Sequence, residues 1–245
     1  MNPKTQKSFK AVTFSYDDGV TQDIRLIELF NKYGLKCTFN LNSARLGEKG
    51  ELVRESITGE TVTVRHDKVL KEDVRSIYDG HEVASHTLTH PFLPRIADDE
   101  EIVRQTEEDR LRLSELAGYE VTGFAYPGGG VVNFDGRTAD IIRKRTGLKY
   151  ARTTRSSGGF DIARGEELFA LLPTAYHRDI PRLYDLADRF LSYSGSSPML
   201  FYVWGHSYEF DIDKSWDAFE EFLKYISGRD SIFYGTNREC LNVTE

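Results

Sequence analysis

Cysteine is scarce: the chain has two, Cys37 and Cys240. They lie far apart and lack metal-ligand spacing, which excludes a cysteine-ligated zinc site and fits a reducing compartment. Cys37 sits in the apolar stretch KCTFNL and is predicted to be a buried core thiol. An excess of basic charge is also lacking. Asp and Glu outnumber Lys and Arg by 39 to 32, for a net charge of -7. No arm or stripe is strongly basic, so nucleic acid, anionic membrane and other polyanions are poor partners. No stretch approaches ~18 consecutive apolar residues, so no membrane span is expected. The N-terminal MNPKTQKSFKAVTFSYDD holds no apolar run of signal-peptide length, and the first predicted strand starts by Phe9. That gives the expectation of a cytoplasmic protein; a leader removed from the chain would read the same way. Repeats, low-complexity segments and a clear domain linker are missing too.

What is there is an alternation of strands and helices. At 39% hydrophobic over 245 residues, the chain can bury a substantial core. KAVTFSY (10–16) reads as a buried strand. A helix follows, with Ile24, Ile27, Leu29 and Phe30 along one stripe and Gly34 as its cap. KCTFNL (36–41) completes a βαβ unit. TVTVR (61–65) is predicted as a short strand in an irregular insertion spanning 42–69, with no evident partner. A short helix over 70–80 leads into the strand HEVASH (81–86), and a long surface helix is predicted from Asp98 to Leu116. Strands are predicted at 121–127, 148–154, 169–176, 199–207 and 231–235, with helices at 136–147, 180–193 and 216–227. The pattern predicts α/β architecture as a single domain over 1–245, an irregular or incomplete (β/α)7-8 barrel. An open doubly wound sheet is the rival. The glycine-rich nucleotide fingerprint is absent after the first strand, where DDG stands instead.

Three strands end in unusual chemistry: one at Asp17–Asp18, one at His86 and His90, one at His206. Sites in parallel α/β folds form at the carboxyl ends of strands, so these residues should converge. A carboxylate and two imidazoles make a facial ligand set for a divalent ion; zinc, iron, cobalt and manganese all tolerate it. Of two adjacent aspartates, one can bind the ion while the other accepts a proton from water. A third histidine across the site can protonate a leaving group. Each feature has a plainer reading. HxxxH pairs are often ordinary, Asp-Asp-Gly is usually a turn, and His206 could simply bond a loop. The joint placement at strand ends is what favours a site.

These residues resemble the motifs of the polysaccharide deacetylase (NodB-homology, carbohydrate esterase family 4) group, and the resemblance runs across nearly the whole chain. The family's first motif, similar to TF(D)DG, reads TFSYDDG here (13–19), which implies Asp17 as catalytic base and Asp18 as metal ligand. The second, H(S/T)xxHP, reads HTLTHP (86–91) and implies His86 and His90 as the other ligands. The third, similar to RxPY(G), matches FAYPGGG (124–130), but its arginine has no counterpart and falls near Ala125. Arg152, in KYARTT, is the candidate to hold Asp17 in its place. The last motif implies His206, in FYVWGHSYEF (201–210), as general acid. Trp204 is a candidate wall of the acetyl pocket, and Tyr126 and Tyr208 are candidate sugar contacts. His66 and His81 match no family role, and His81 reads as structural.

The resemblance implies a metal-dependent hydrolase that removes acetyl from an N-acetylated sugar or oligosaccharide. The expected cofactor is zinc, with cobalt, nickel, manganese or iron as substitutes. Asp17 would take the water proton, His206 would protonate the leaving amine, and a backbone N–H at or near Tyr126 would help bind the oxyanion. Two alternatives stay open. One is hydrolysis of a non-sugar linear or cyclic amide, such as a ureide or imide. The other is a non-catalytic, metal-retaining carbohydrate-binding relative.

Overall fold

The computed structural model describes residues 9–129 and 133–241. Its strands are β1 Lys10–Asp17, β2 Cys37–Leu41, β3 Glu51–Glu55, β4 Thr61–Arg65, β5 Glu82–Ser85, β6 Gly123–Ala125, β7 Tyr150–Arg152, β8 Ala175–Tyr176, β9 Met199–Gly205 and β10 Ile232–Tyr234. Seven of them form one parallel sheet in the order β7-β6-β5-β2-β1-β9-β8, and β10 pairs with the start of β1. The sheet curls as an irregular barrel with helices outside. Among the described residues it does not close through a regular ladder. At the β7 edge, Arg152 makes an isolated parallel bridge to Leu171, in the segment that leads to β8 at the other edge.

Alternation along β1 explains how the layers form. Val12, Phe14 and Tyr16 face the helices and join the main core with Leu26, Phe30, Phe219 and Phe222. Thr13, Ser15 and Asp17 face the other way, and all three are buried. They meet a polar interior. Thr13 donates to Asn237 (2.9 Å), Asn237 donates through its amide to Tyr202 (2.6 Å), and Glu82 accepts from Thr38 (2.8 Å) and Tyr150 (2.9 Å). The short helix Asn237–Leu241 carries that asparagine against β1.

The register sets the site. Asp17 pairs with Asn40, Leu41 with Ser85, Ser85 with Phe124, Ala125 with Arg152, and Tyr16 with Gly205. The carboxyl ends of six strands therefore lie at one level.

Several predicted elements change in detail. Ile24 is 44% exposed, and the buried stripe of helix Asp23–Lys32 is Asp23, Leu26, Ile27 and Phe30. β4 finds its partner in β3, as an antiparallel hairpin. The 70–80 helix is α-helical only over Val74–Ile77. The helix starting after Asp98 contains a π-helical stretch, Arg104–Glu108, which shifts its faces and buries Gln105, Thr106 and Asp109. The predicted apolar stripe is broken accordingly: Leu113 is buried while Leu111 is 49% exposed. The strand predicted over 169–176 shrinks to Ala175–Tyr176. Pro173 stands inside it and has no N–H to give a ladder. Among the described residues no helix is long and apolar enough to cross a membrane.

Candidate active site

Asp18, His86 and His90 converge at the carboxyl ends of β1 and β5, each offering one ligand atom within 4.8 Å of the others. Three of the non-glycine residues with positive φ belong here: Asp18 (85°), Thr87 (69°) and His90 (64°). Such backbone is costly and persists only when its surroundings hold it. Around His86 the hold is dense. Asn42 donates to the carbonyls of His86 (2.5 Å) and Thr87 (2.9 Å). Asp109 accepts from Ser43 N–H (2.7 Å), the Ser85 hydroxyl (2.6 Å) and His86 N–H (3.2 Å). Gln105 accepts through its carbonyl from Leu88 N–H (2.9 Å) and through its side chain from Thr89 N–H (3.2 Å).

The ligand set suits a divalent ion. His86 Nδ1 lies 2.7 Å from the carbonyl of Ala125, which can only accept. Nδ1 therefore carries the hydrogen and Nε2 keeps its lone pair for a metal. Burial holds the His86 pKa down at about 4, so the ring stays neutral at ordinary pH. His90 Nε2 is 3.8 Å from Asp18 Oδ1. One anionic oxygen and two neutral imidazoles in a buried cluster form a hard-to-borderline donor set.

Asp17 lies one residue away with a different task. Its carboxylate accepts from Arg152 Nη2 at both oxygens, at 2.5 and 2.6 Å, and from Asn40 at 2.8 Å. Burial by itself would raise its pKa, but Arg152, His86 and His206 more than offset this and keep the carboxyl ionised. The arginine on Asp17 thus comes from β7, and the pair is withdrawn from water.

His206 faces Asp17 across the site, Nε2 to Oδ2 4.0 Å. Its Nδ1 donates to Glu209 Oε2 (3.1 Å). Burial opposes charge on the ring, yet Glu209, with Asp18 and Asp17 behind it, raises its pKa to about 9. Glu209 also accepts from His177 Nε2 (2.8 Å) and from the Tyr176 hydroxyl, and Tyr16 bonds His177 Nδ1 (3.1 Å). Gly205 has to be small, because a Cβ there would lie 2.3 Å from the His177 ring. Glu209, His177 and Tyr176 were not identified from sequence. The one local clue was Glu209 standing three residues after His206 in HSYE.

The aromatic candidates divide. Trp204 has its ring under the Arg152 guanidinium (4.7 Å) and stacked on Tyr176 (4.6 Å). It lines, with His206, a cavity of about 1010 Å³ that runs along the open seam past Thr153, Leu171 and Tyr202. Tyr208 packs against the rings of His66 (5.0 Å) and His206 (5.1 Å). Tyr126 does not serve as expected. Its side chain is fully buried with its hydroxyl on the carbonyl of Phe169 (2.8 Å), and its N–H donates to the carbonyl of Arg152 (2.9 Å). Neither group is free for a sugar or an oxyanion. β6 turns this side chain into the outer apolar cluster with Phe124 and Ile142. The last glycine of the 124–130 stretch lies outside the described residues. His81 is structural, accepting from Cys37 N–H (3.2 Å), and Cys37 is a buried thiol. His66, given no role from sequence, bonds Asp18 Oδ2 (3.3 Å), and Lys68 Nζ donates to the Asp18 carbonyl (2.7 Å).

Comparison with known proteins gives a consistent picture. A family model described as polysaccharide deacetylase matches residues 4–151. No curated protein matches the chain. An allantoinase superposes with a TM-score of 0.68 at 11% identity, over 98% of this chain and 91% of its own. The peptidoglycan deacetylase of Bacillus subtilis superposes with a TM-score of 0.52 at 16% identity, over 98% and 93%. A Streptococcus pyogenes deacetylase solved with acetate matches at 19% identity and a TM-score of 0.49, over 64% of this chain. This chain spans 61% of that protein's length. The first two likenesses show a shared fold.

Proposed function

Since this chain belongs to the polysaccharide deacetylase family, we propose that it removes acetyl from an N-acetylated sugar or oligosaccharide by metal-dependent hydrolysis. The observation that carries the reading is the division of labour at adjacent positions: Asp18 with His86 and His90, and Asp17 held by Arg152 opposite His206. Zinc is the proposed ion, on the strength of the one-carboxylate, two-imidazole donor set. When bound, it supplies Lewis-acid chemistry, acidifying water and polarising the acyl carbonyl.

The chain's residues do the rest. Asp17, ionised and oriented by Arg152, accepts the proton of the attacking water. A C–O bond forms at the acyl carbon as the C–N bond breaks. His206 carries its transferable proton on Nε2, because Nδ1 is committed to Glu209, and passes it to the departing amine. Acetate and a free amine result. The cavity touches His206 and Trp204, which supports a reading in which it receives the sugar on the leaving-group side, with Trp204 as a wall. The cavity reaches the upper end of volumes usual for ligand sites, which range up to ~1,000 Å³. Residues 1–245 are proposed to act as one catalytic domain.

The test is acetate release from N-acetylglucosamine and its oligomers. The protein is stripped of metal and reloaded with zinc, cobalt, nickel or manganese in turn. Release that depends on metal supports the reading and ranks substrates by length. No release from folded, metal-loaded protein rejects a sugar substrate. It would favour a non-sugar amide, a reading supported by the third motif, where the arginine on Asp17 comes from β7 instead, and by the likeness to an allantoinase.

A further inference from the structure

Asp18 is held by a segment that has no counterpart among the motif residues. Residues 66–69 leave the β3–β4 hairpin and run antiparallel to the chain just after β1. Val20 bridges Lys68, Thr21 N–H donates to the carbonyl of Asp67 (2.8 Å), and Val69 N–H donates to the carbonyl of Gly19 (3.0 Å). The Lys68 side chain is 1% exposed and its ammonium donates to the carbonyl of Asp18, fixing the left-handed backbone there. His66 comes from the same segment and meets the Asp18 side chain, Nε2 to Oδ2 at 3.3 Å. An ionised carboxylate can only accept, so His66 Nε2 carries the hydrogen. The two oxygens of Asp18 thus face different partners: Oδ2 faces His66, and Oδ1 faces His90 Nε2 at 3.8 Å with the Lys68 ammonium at 3.6 Å. Packing against Tyr208 holds the His66 ring in place.

We infer that His66 is a positioning residue: it ties Oδ2 of Asp18 so that Oδ1 is presented to the ion alongside His86 and His90, and so sets metal affinity. The inference rests on the metal-dependent reading above. Groups that orient a ligating side chain typically govern affinity by roughly 10–100-fold. The insertion carrying β3 and β4 would then be part of the metal site's support, not a passive loop.

Two variants separate positioning from packing. His66→Phe keeps a ring against Tyr208 but has no donor for Oδ2. His66→Gln loses the ring but keeps an amide N–H that can reach it. Zinc affinity is measured by competition with a chelator, and the unfolding temperature of the metal-free protein is measured alongside. His66→Phe is expected to weaken zinc binding roughly 10–100-fold with the metal-free unfolding temperature little changed, and His66→Gln to restore most of the loss. A Phe variant that binds zinc like the unaltered chain overturns the inference. So does equal loss in both variants accompanied by a lower metal-free unfolding temperature, which would mark a packing role. If the unaltered chain takes up no zinc, the metal-dependent reading itself fails, and this inference with it.

Discussion

Arg152 and Asp17 are both withdrawn from water, and each neutralises the other. Taking one partner from a buried pair leaves an uncompensated charge at a cost of roughly 3–5 kcal/mol. Urea unfolding of Arg152→Ala should show a loss of about that size. Turnover should also fall, on the order of 10²-fold, because Asp17 loses its orientation. Burial would then act on Asp17 without its main opponent, so the acid limb of the kcat/KM profile should move to higher pH. Metal content should be retained, since the side chain bonds Asp17 and the Thr153 carbonyl rather than a ligand. Full turnover in this variant would remove Arg152 from the mechanism. Across the site, His206 can act as an acid only while protonated. Its raised pKa of about 9 places the fall in rate on the alkaline side. Glu209 is the largest cause raising that pKa, and a bound cation would weaken the contributions of Asp17 and Asp18, not that of Glu209. Glu209→Gln is therefore expected to shift the alkaline limb to lower pH in a kcat/KM profile. An unmoved limb would detach Glu209 from the protonation of His206.

The loop 86–90 shows what local sequence can and cannot say about an element. The HxxxH spacing and the following proline are local, so the ligands were legible. What holds them is remote: Asn42 is 44 residues from His86, and Asp109 is 23 residues away on a helix. The π-helical turn that brings Gln105 and Asp109 under the loop breaks the regular helical period, so a search for a 3.6-residue stripe misses it. Asn42→Ala removes both donors from the His86 and Thr87 carbonyls. Leaving buried acceptors unmet costs roughly 1–3 kcal/mol each, and loosening a left-handed loop should also weaken zinc binding. Urea midpoints and chelator competition check the two effects separately. Unchanged zinc affinity would mean that the loop keeps its conformation without Asn42.

For the whole molecule, the metal and the fold are linked through the sheet. The candidate ligands sit just after β1 and on the loop after β5, strands separated by β2 in the sheet order. An ion that binds only the folded chain stabilises it by about 2.7 kcal/mol at a hundredfold excess over Kd. For a chain of this size that corresponds to a rise in Tm of roughly 5–10 °C on adding zinc to stripped protein. A flat response in calorimetry would argue against a formed site. The sequence by itself determined the alternation of strands and helices, because buried strands are rich in β-branched and aromatic residues and helices demand their own period. It also pointed to the candidate ligands, candidate base and candidate acid, because each stands at a strand end in a short local motif. The source of the arginine for Asp17 could be guessed, from the position of Arg152 near a strand end, but only the register of Ala125 with Arg152 showed that it arrives. Tertiary structure alone decided that Tyr126 turns outward, that the hairpin delivers His66 and Lys68 to Asp18, and that Glu209 joins His177 to His206. The physical reason is the same in each case. These contacts join residues whose neighbours in sequence carry no periodic or local signal, and proximity in space is set by sheet order and register.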